Sequence, residues 1–352
     1  MIKETLSQLT VKHIGMHCAR ARLFAEMVIS MISNGKSQLK SLGIGVSGGA
    51  KLESKMRRIQ MFFKEQEIGS EEFGMLLLEV LGLEGPFKLA MDRTNWEFGK
   101  AKINYLMVSI IFQNISIPLC WIVLDKKGNS STEERKNLME KVLEIIPADK
   151  IEMLLGDREF IGKVWFDWLS KKKIHFIMRI KQNSIINGKS YVFQEFNMLK
   201  IGEIKTIHAT LWETQYVITG MKINTGELLI LASNNFVGQE TCVLYKQRWT
   251  IETLFKNLKT RGFNIEDTHM IDTEKLQKLM YIAALATLIT VKTGILRNMQ
   301  IPILIKKHGR SLYSLFTYGL DFLRSVILKK TQKSITKFIH SILNLSLTQL
   351  QT

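Results

Sequence analysis

The sequence predicts an α/β protein in which a mixed-sheet core carries the chemistry, a β-strand insertion interrupts it, and helices flank it at both ends. Three observations predict this. Residues up to about 87 carry apolar side chains at helical spacing; residues 88–180 alternate strand-length apolar runs with helical segments; and residues 181–235 alternate polar and apolar before helical spacing resumes near 239. At 352 residues the chain is also longer than one apolar core usually fills, so a large core with smaller appended units is expected.

The elements follow in order. Residues 1–87 form a helical domain, with helices over 21–32 and 52–63 separated by the glycine-containing stretch 41–49. Within 88–180, strands are expected at 88–91, 105–112, 117–124, 151–155 and 175–179, with helices at 131–145 and 163–172. Three strands, a helix and a returning strand is the order of an RNase H-like core. Residues 181–238 are the β-rich insertion, 239–295 the second part of the core, and 296–352 a helical C-terminal region kept basic by Lys306, Lys307, Arg310, Arg324, Lys329, Lys330, Lys333 and Lys337.

Two apolar stretches need an account other than a membrane. Residues 103–124 contain Asn104, Gln113, Asn114 and Pro118, with a turn at 114–116, and so read as a buried hairpin. Residues 279–291, bounded by Lys278 and Lys292, are too short to cross a bilayer and read as a core helix. The first residues lack the apolar run of a signal peptide, and the three cysteines, Cys18, Cys120 and Cys242, have no metal-ligand spacing. They read as buried thiols of a protein in a reducing cytoplasm.

Lysine and arginine total 49 against 32 acidic residues, a formal charge of +17, and the cations recur along the whole chain. A polyanionic partner, best met by nucleic acid, is implied. The second N-terminal helix presents Lys51, Lys55, Arg57 and Arg58, a density suited to phosphates, although such runs also occur on plain solvated faces.

Candidate chemistry lies in three carboxylates. Asp92 closes the first core strand and Asp157 closes the strand at 151–155; if those strands are parallel neighbours, both side chains project from one edge of the sheet. Glu252 lies in a segment expected to be one helix, on which Tyr245, Arg248, Glu252 and Lys259 fall within roughly 60° and Lys256 close beside them. Leu244, Ile251, Leu254, Phe255 and Leu258 form the opposite, buried face. Three carboxylates suffice to hold two hard divalent cations for phosphodiester chemistry, and nearby cations with a tyrosine hydroxyl suit the phosphates of a scissile strand.

The spacing Tyr245-(2)-Arg248-(3)-Glu252-(6)-Lys259 resembles the signature of bacterial insertion-sequence DDE transposases of family four. The phrases Met91-Asp92-Arg93-Thr94-Asn95-Trp96, Gly128-Asn129-Ser130, Gly156-Asp157-Arg158-Glu159-Phe160 and Lys307-His308-Gly309-Arg310 agree with it. The resemblance implies an RNase H-like fold and cut-and-paste transposition. Asp92, Asp157 and Glu252 would hold two Mg²⁺ ions, for which Mn²⁺ would substitute. It also implies contacts from Tyr245, Arg248, Lys256 and Lys259 to double-stranded DNA at the element ends, and a homodimer that synapses two ends and a target. In that family water cleaves one strand, and the exposed 3′-hydroxyl then attacks the opposite strand and later the target. Trp212 and Trp249 are the candidates to support a flipped base. A nuclease or resolvase that cuts without rejoining and an inactive DNA-binding repressor are the rival readings. Two weaker motifs carry less: Gly43, Gly45 and Gly48 read as an interhelical loop rather than a dinucleotide site, and His269, with no second histidine at ligand spacing, as a structural or DNA-facing residue.

Overall fold

In the computed structural model, which describes residues 2–307 and 309–328 together with 342, 346 and 347, one eight-stranded sheet runs through the molecule. Five helices precede it: α1 (Ile2–Ile14), α2 (Cys18–Asn34), α3 (Leu39–Ile44), α4 (Leu52–Glu65) and α5 (Ser70–Leu81). Then come β1 (Phe87–Phe98), β2 (Ala101–Phe112), β3 (Ile115–Leu124), α6 (Thr132–Ile145), β4 (Ile151–Gly156), α7 (Lys163–Lys171) and β5 (Phe176–Arg179). The insertion supplies a small hairpin, β6 (Ile185–Ile186) and β7 (Ser190–Tyr191), and the longer β8 (Ile204–Leu211), β9 (Thr214–Lys222) and β10 (Leu228–Ser233). Helices α8 (Gly238–Lys246), α9 (Trp249–Lys256), α10 (Thr273–Gln300) and α11 (Leu315–Leu328) follow.

The strand order is β3-β2-β1-β4-β5-β10-β9-β8. β1, β2 and β3 are antiparallel, while β4 and β5 run parallel to β1, the arrangement expected when a meander is followed by helical crossovers. The insertion's longer strands join the main sheet, β10 pairing antiparallel with β5 and leading outward to β9 and β8, while β6 and β7 form a separate two-stranded sheet. Local chemistry fixes the ends of several elements. Gln113 and Asn114 both adopt positive φ and turn β2 into β3, one residue earlier than the sequence pattern places the turn. Ser131 and Glu134 form a reciprocal capping box that starts α6, and Asp272 caps α10.

The apolar segment 279–291 is the middle of a helix 28 residues long, long and apolar enough by composition to span a bilayer, contrary to the shorter length expected from its flanking lysines. It is nonetheless a core helix, since 94% of its apolar window is buried in the protein. Its lysines are accommodated by helix ends. Lys278 Nζ donates to Phe63 O at the end of α4 (2.9 Å), Lys292 Nζ donates to Val80 O at the end of α5, and Arg324 Nε on α11 donates to Ile32 O at the end of α2 (3.0 Å). Three N-terminal helices thus direct their electronegative C-terminal carbonyls at cations from the C-terminal part of the chain. Cys120 and Cys242 are buried as expected, but Cys18 is exposed, because the first turn of α2 extends beyond the packed part of that helix. Lys329, Lys330, Lys333, Lys337 and His308 lie outside the described residues.

Candidate active site

β1 and β4 are parallel neighbours, as the placement of two carboxylates at one sheet edge requires. Their register aligns Ala90 with Leu155, so that Asp92 comes level with Asp157 two residues further on. Asp92 does not end its strand, however. β1 continues to Phe98 because β2 remains its partner, and Asp92 stands where β4 stops and leaves the strand's other edge open. Asp157 follows β4 directly, its Oδ1 accepting the backbone N–H of Glu159 (2.8 Å). Glycine before it leaves room for its neighbours: a Cβ on Gly156 would lie 2.5 Å from Met178 Sδ and 3.1 Å from Phe160 Cβ, so either side chain would have to shift.

Glu252 arrives on α9, whose first turn is anchored by Thr250 Oγ1 to Ser116 Oγ on β3 at 2.7 Å. The segment from Tyr245 to Lys259 is not one continuous helix. α8 ends at Lys246, a tight turn with hydrogen bonds from Gln247 N to Leu244 O and from Arg248 N to Tyr245 O intervenes, and beyond α9 the chain widens into a π-turn in which Lys259 leaves helical φ/ψ. The buried side matches expectation, with Leu244, Ile251, Leu254, Phe255 and Leu258 all in the core. The polar side is not an open stripe, since Tyr245 and Arg248 are themselves buried.

Arg248 bridges two of the carboxylates, Nη1 to Asp92 Oδ2 at 3.1 Å and Nη2 to Glu252 Oε1 at 2.6 Å. Burial pushes the Asp92 carboxyl up to about 7; Arg248 opposes the rise, while the negative charges of Asp157 and Glu252 add to it. Asp92 and Glu252 therefore meet on one guanidinium, and the charge of Asp157 is near enough to act on Asp92. Burial likewise pushes the Tyr245 hydroxyl up to about 12, with Arg248 opposing.

The donor set suits a hard divalent cation: three carboxylates whose crowding costs free energy unless positive charge stands between them. Here the guanidinium of Arg248 fills that place, and among the described residues no three acidic, histidine or cysteine side chains already stand at metal-binding separations. Asp92, Asp157 and Glu252 are the residues that could hold such a cation.

Other predicted contacts are placed as follows. Lys259 Nζ donates to Asn95 O (2.8 Å), pairs with Glu266 (2.8 Å) and lies over the Trp96 ring, so its charge is largely committed within the protein. Lys256 is exposed, 6.0 Å from the ring of Trp249, which is itself 58% exposed. Trp212 packs edge-on against Phe166. Arg57 and Arg58 occupy the solvent face of α4, far along the chain from the carboxylates. His269 stacks on Phe98 and has no cluster of metal-ligating residues around it among those described.

Sequence reasoning missed the scaffold around the pocket. Arg93, next to Asp92, grips Glu159 with Nε at 2.8 and 2.9 Å and reaches Asn104 and Asn129 with its remaining nitrogens. Glu159 also accepts Ser130 N and Oγ, and Ser130 in turn accepts from Arg135 on α6. Three of the four short phrases that carry the resemblance thus meet in one hydrogen-bonded network. Their presence is visible in the sequence, but nothing local says that they touch.

A meander of three antiparallel strands continued by two parallel strands, with acidic residues at the open edge of β1 and the end of β4, is an RNase H-like core. Comparison with protein families agrees. The family model of the transposase DDE domain matches residues 83–289, well over half of the chain, and the chain belongs to that family. It is a transposase, acting on DNA. No curated protein matches the sequence. Among solved structures it is similar to endonuclease V from Bacillus subtilis, at 11% identity over 62% of this chain and 95% of that one, with a TM-score of 0.30.

Proposed function

We propose that this transposase excises and reinserts a family-four insertion sequence by cut-and-paste, with Asp92, Asp157 and Glu252 holding two Mg²⁺ ions for which Mn²⁺ substitutes. The observation that carries the reading is the shared place for positive charge: Asp92 and Glu252 converge on one guanidinium while Asp157 acts electrostatically on the same pocket. Bound ions would supply Lewis acidity at the scissile phosphate and an attacking oxygen competent at neutral pH.

The chain's own residues do the rest. Arg248, released from Asp92 and Glu252, turns its planar fork to a phosphate of the scissile strand. Tyr245 keeps its proton at physiological pH and acts as a hydrogen-bond donor to the same strand, not as a base. Lys256 neutralises backbone next to the cleavage point, joined by Lys259 once it leaves Glu266, and Arg57 and Arg58 of the helical domain, residues 1–87, grip the duplex further out. One pocket serves each step in turn, cutting by water, attack of the 3′-hydroxyl on the opposite strand, and joining to target DNA. A homodimer holds the two ends together on DNA of the bacterial nucleoid, in the cytoplasm.

The test is incubation of the purified protein with Mg²⁺ and a fragment bearing the repeats that flank its gene, with products mapped at nucleotide resolution. Cuts at the repeat ends and joined products are expected, and Asp157→Asn is expected to abolish both while DNA binding persists. Cuts without joining would favour a nuclease, and an Asp157→Asn variant indistinguishable from the natural protein in every effect would favour a repressor.

A further inference from the structure

Beyond the carboxylates, β1 runs on for six residues to a hairpin tip that the chemistry above does not use. Successive side chains of a strand alternate faces, so Asp92, Thr94, Trp96 and Phe98 share one side, the side against which Lys259 is braced over Trp96. Thr94 and Trp96 are buried, but Phe98 is 38% exposed. Its other face is covered by the imidazole of His269, 4.8 Å away and nearly parallel at 18°. His269 adopts a positive φ of 59°, a conformation that an L side chain rarely takes and that here holds the ring against Phe98.

An exposed phenylalanine backed by a second ring at a hairpin tip is a stacking platform, and the residues around it are basic and polar. Lys100 stands in the turn beside it. His269 also lines a cleft of about 440 Å³ shared with Gln60, Met61 and Lys64 of α4. On α4, Arg57, Gln60 and Lys64 lie on one exposed face at spacings of three and four. Cations therefore stand both on α4, which lines the cleft with His269, and in the hairpin turn beside Phe98.

We propose that the β1–β2 hairpin tip is a DNA-contact site in which Phe98, supported by His269, inserts at a base step of the duplex held by α4. The inference rests on the DNA-cutting role given above. Apolar side chains inserted between base steps unstack them partially and bend the duplex, which suits an end that must be distorted to reach a buried pocket. Six strand residues span about 20 Å. At about 3.4 Å per base pair, the contact falls about six base pairs from the scissile phosphate.

The experiment uses the full chain and DNA fragments carrying the element end, each with 2-aminopurine at one position from three to nine base pairs on either side of the cut. The natural protein is expected to raise fluorescence selectively near the sixth position. Phe98→Ala is expected to remove that signal and weaken binding on the order of 10-fold, with Phe98→Trp restoring both. Lys100→Ala, which leaves the ring in place, is expected to keep the signal and to lower the slope of log affinity against log salt by about one. If Phe98→Ala binds and unstacks the DNA as the natural protein does, the contact is wrong while the transposase reading stands. If the natural protein binds no element-end DNA, both fail.

Discussion

Asp92 sits between two arginines that are used in opposite ways. Arg93 spends its donors on Glu159, Asn104 and Asn129, all outside the carboxylate trio, whereas Arg248 spends its donors on the trio itself. The first is scaffold: it ties together partners on β2 and in the loops after β3 and β4. The second bridges Asp92 and Glu252, and on the proposed function it is the cation that metal ions displace. Two arginines beside one carboxylate thus differ in role with the partners they hold.

The comparison is broken or sharpened most strongly by removing each arginine with and without metal. Arg93→Ala leaves the partly buried Glu159 without its ion-pair partner, though Ser130 still donates to it, and is expected to cost roughly 1–3 kcal/mol of stability, a loss that Mg²⁺ does not restore. Arg248→Ala leaves Asp92 beside two like charges and is expected to lower the melting temperature only in the absence of metal. Added Mg²⁺ should recover it even though cleavage stays impaired. Melting curves of both variants across a Mg²⁺ titration check this, and equal rescue of the two would erase the distinction.

A third buried cation extends the contrast to pH. Burial pushes the Lys292 amine down from 10.5 to about 7. Between those values the unfolded chain binds a proton that the folded chain lacks, so stability rises with pH across that window and the penalty is full below 7. Relative to Lys292→Met, the natural protein is expected to gain a few kcal/mol between pH 7 and 10, at roughly 1.4 kcal/mol for each pH unit crossed. Denaturant titrations at several pH values measure it.

Smaller effects come from the frame and the periphery. Gly156→Ala is expected to cost about 1–3 kcal/mol and to reduce cleavage more than DNA binding, since the added methyl displaces Met178 or Phe160 and with them Asp157. The Arg57→Ala, Arg58→Ala double variant is expected to change stability by no more than about 0.5 kcal/mol, and to lower the salt slope of DNA affinity by about two.

Much of this fold was legible in the residues. The strand runs from 88 to 179 are apolar and bounded by turn residues, so their existence and order followed from local pattern, and Asp157 announced itself by following one of them. The reach of β1 past Asp92 was not legible, because it depends on β2 as a partner rather than on β1's own composition. The break at Gln247-Arg248 contains no glycine or proline, so nothing local announces it. Likewise the joining of β10 to β5 and the Arg93-Glu159 contact are long-range choices, which periodicity does not encode.

The claim under all of this is that Asp92, Asp157 and Glu252 take hold of divalent cations together. Titrating Mn²⁺ into the DNA-bound protein and counting bound ions by electron paramagnetic resonance tests it most directly. Two ions per chain are expected for the natural sequence, and fewer for each of Asp92→Asn, Asp157→Asn and Glu252→Gln. Undiminished Mn²⁺ binding in any of the three variants, with the protein folded, would contradict it.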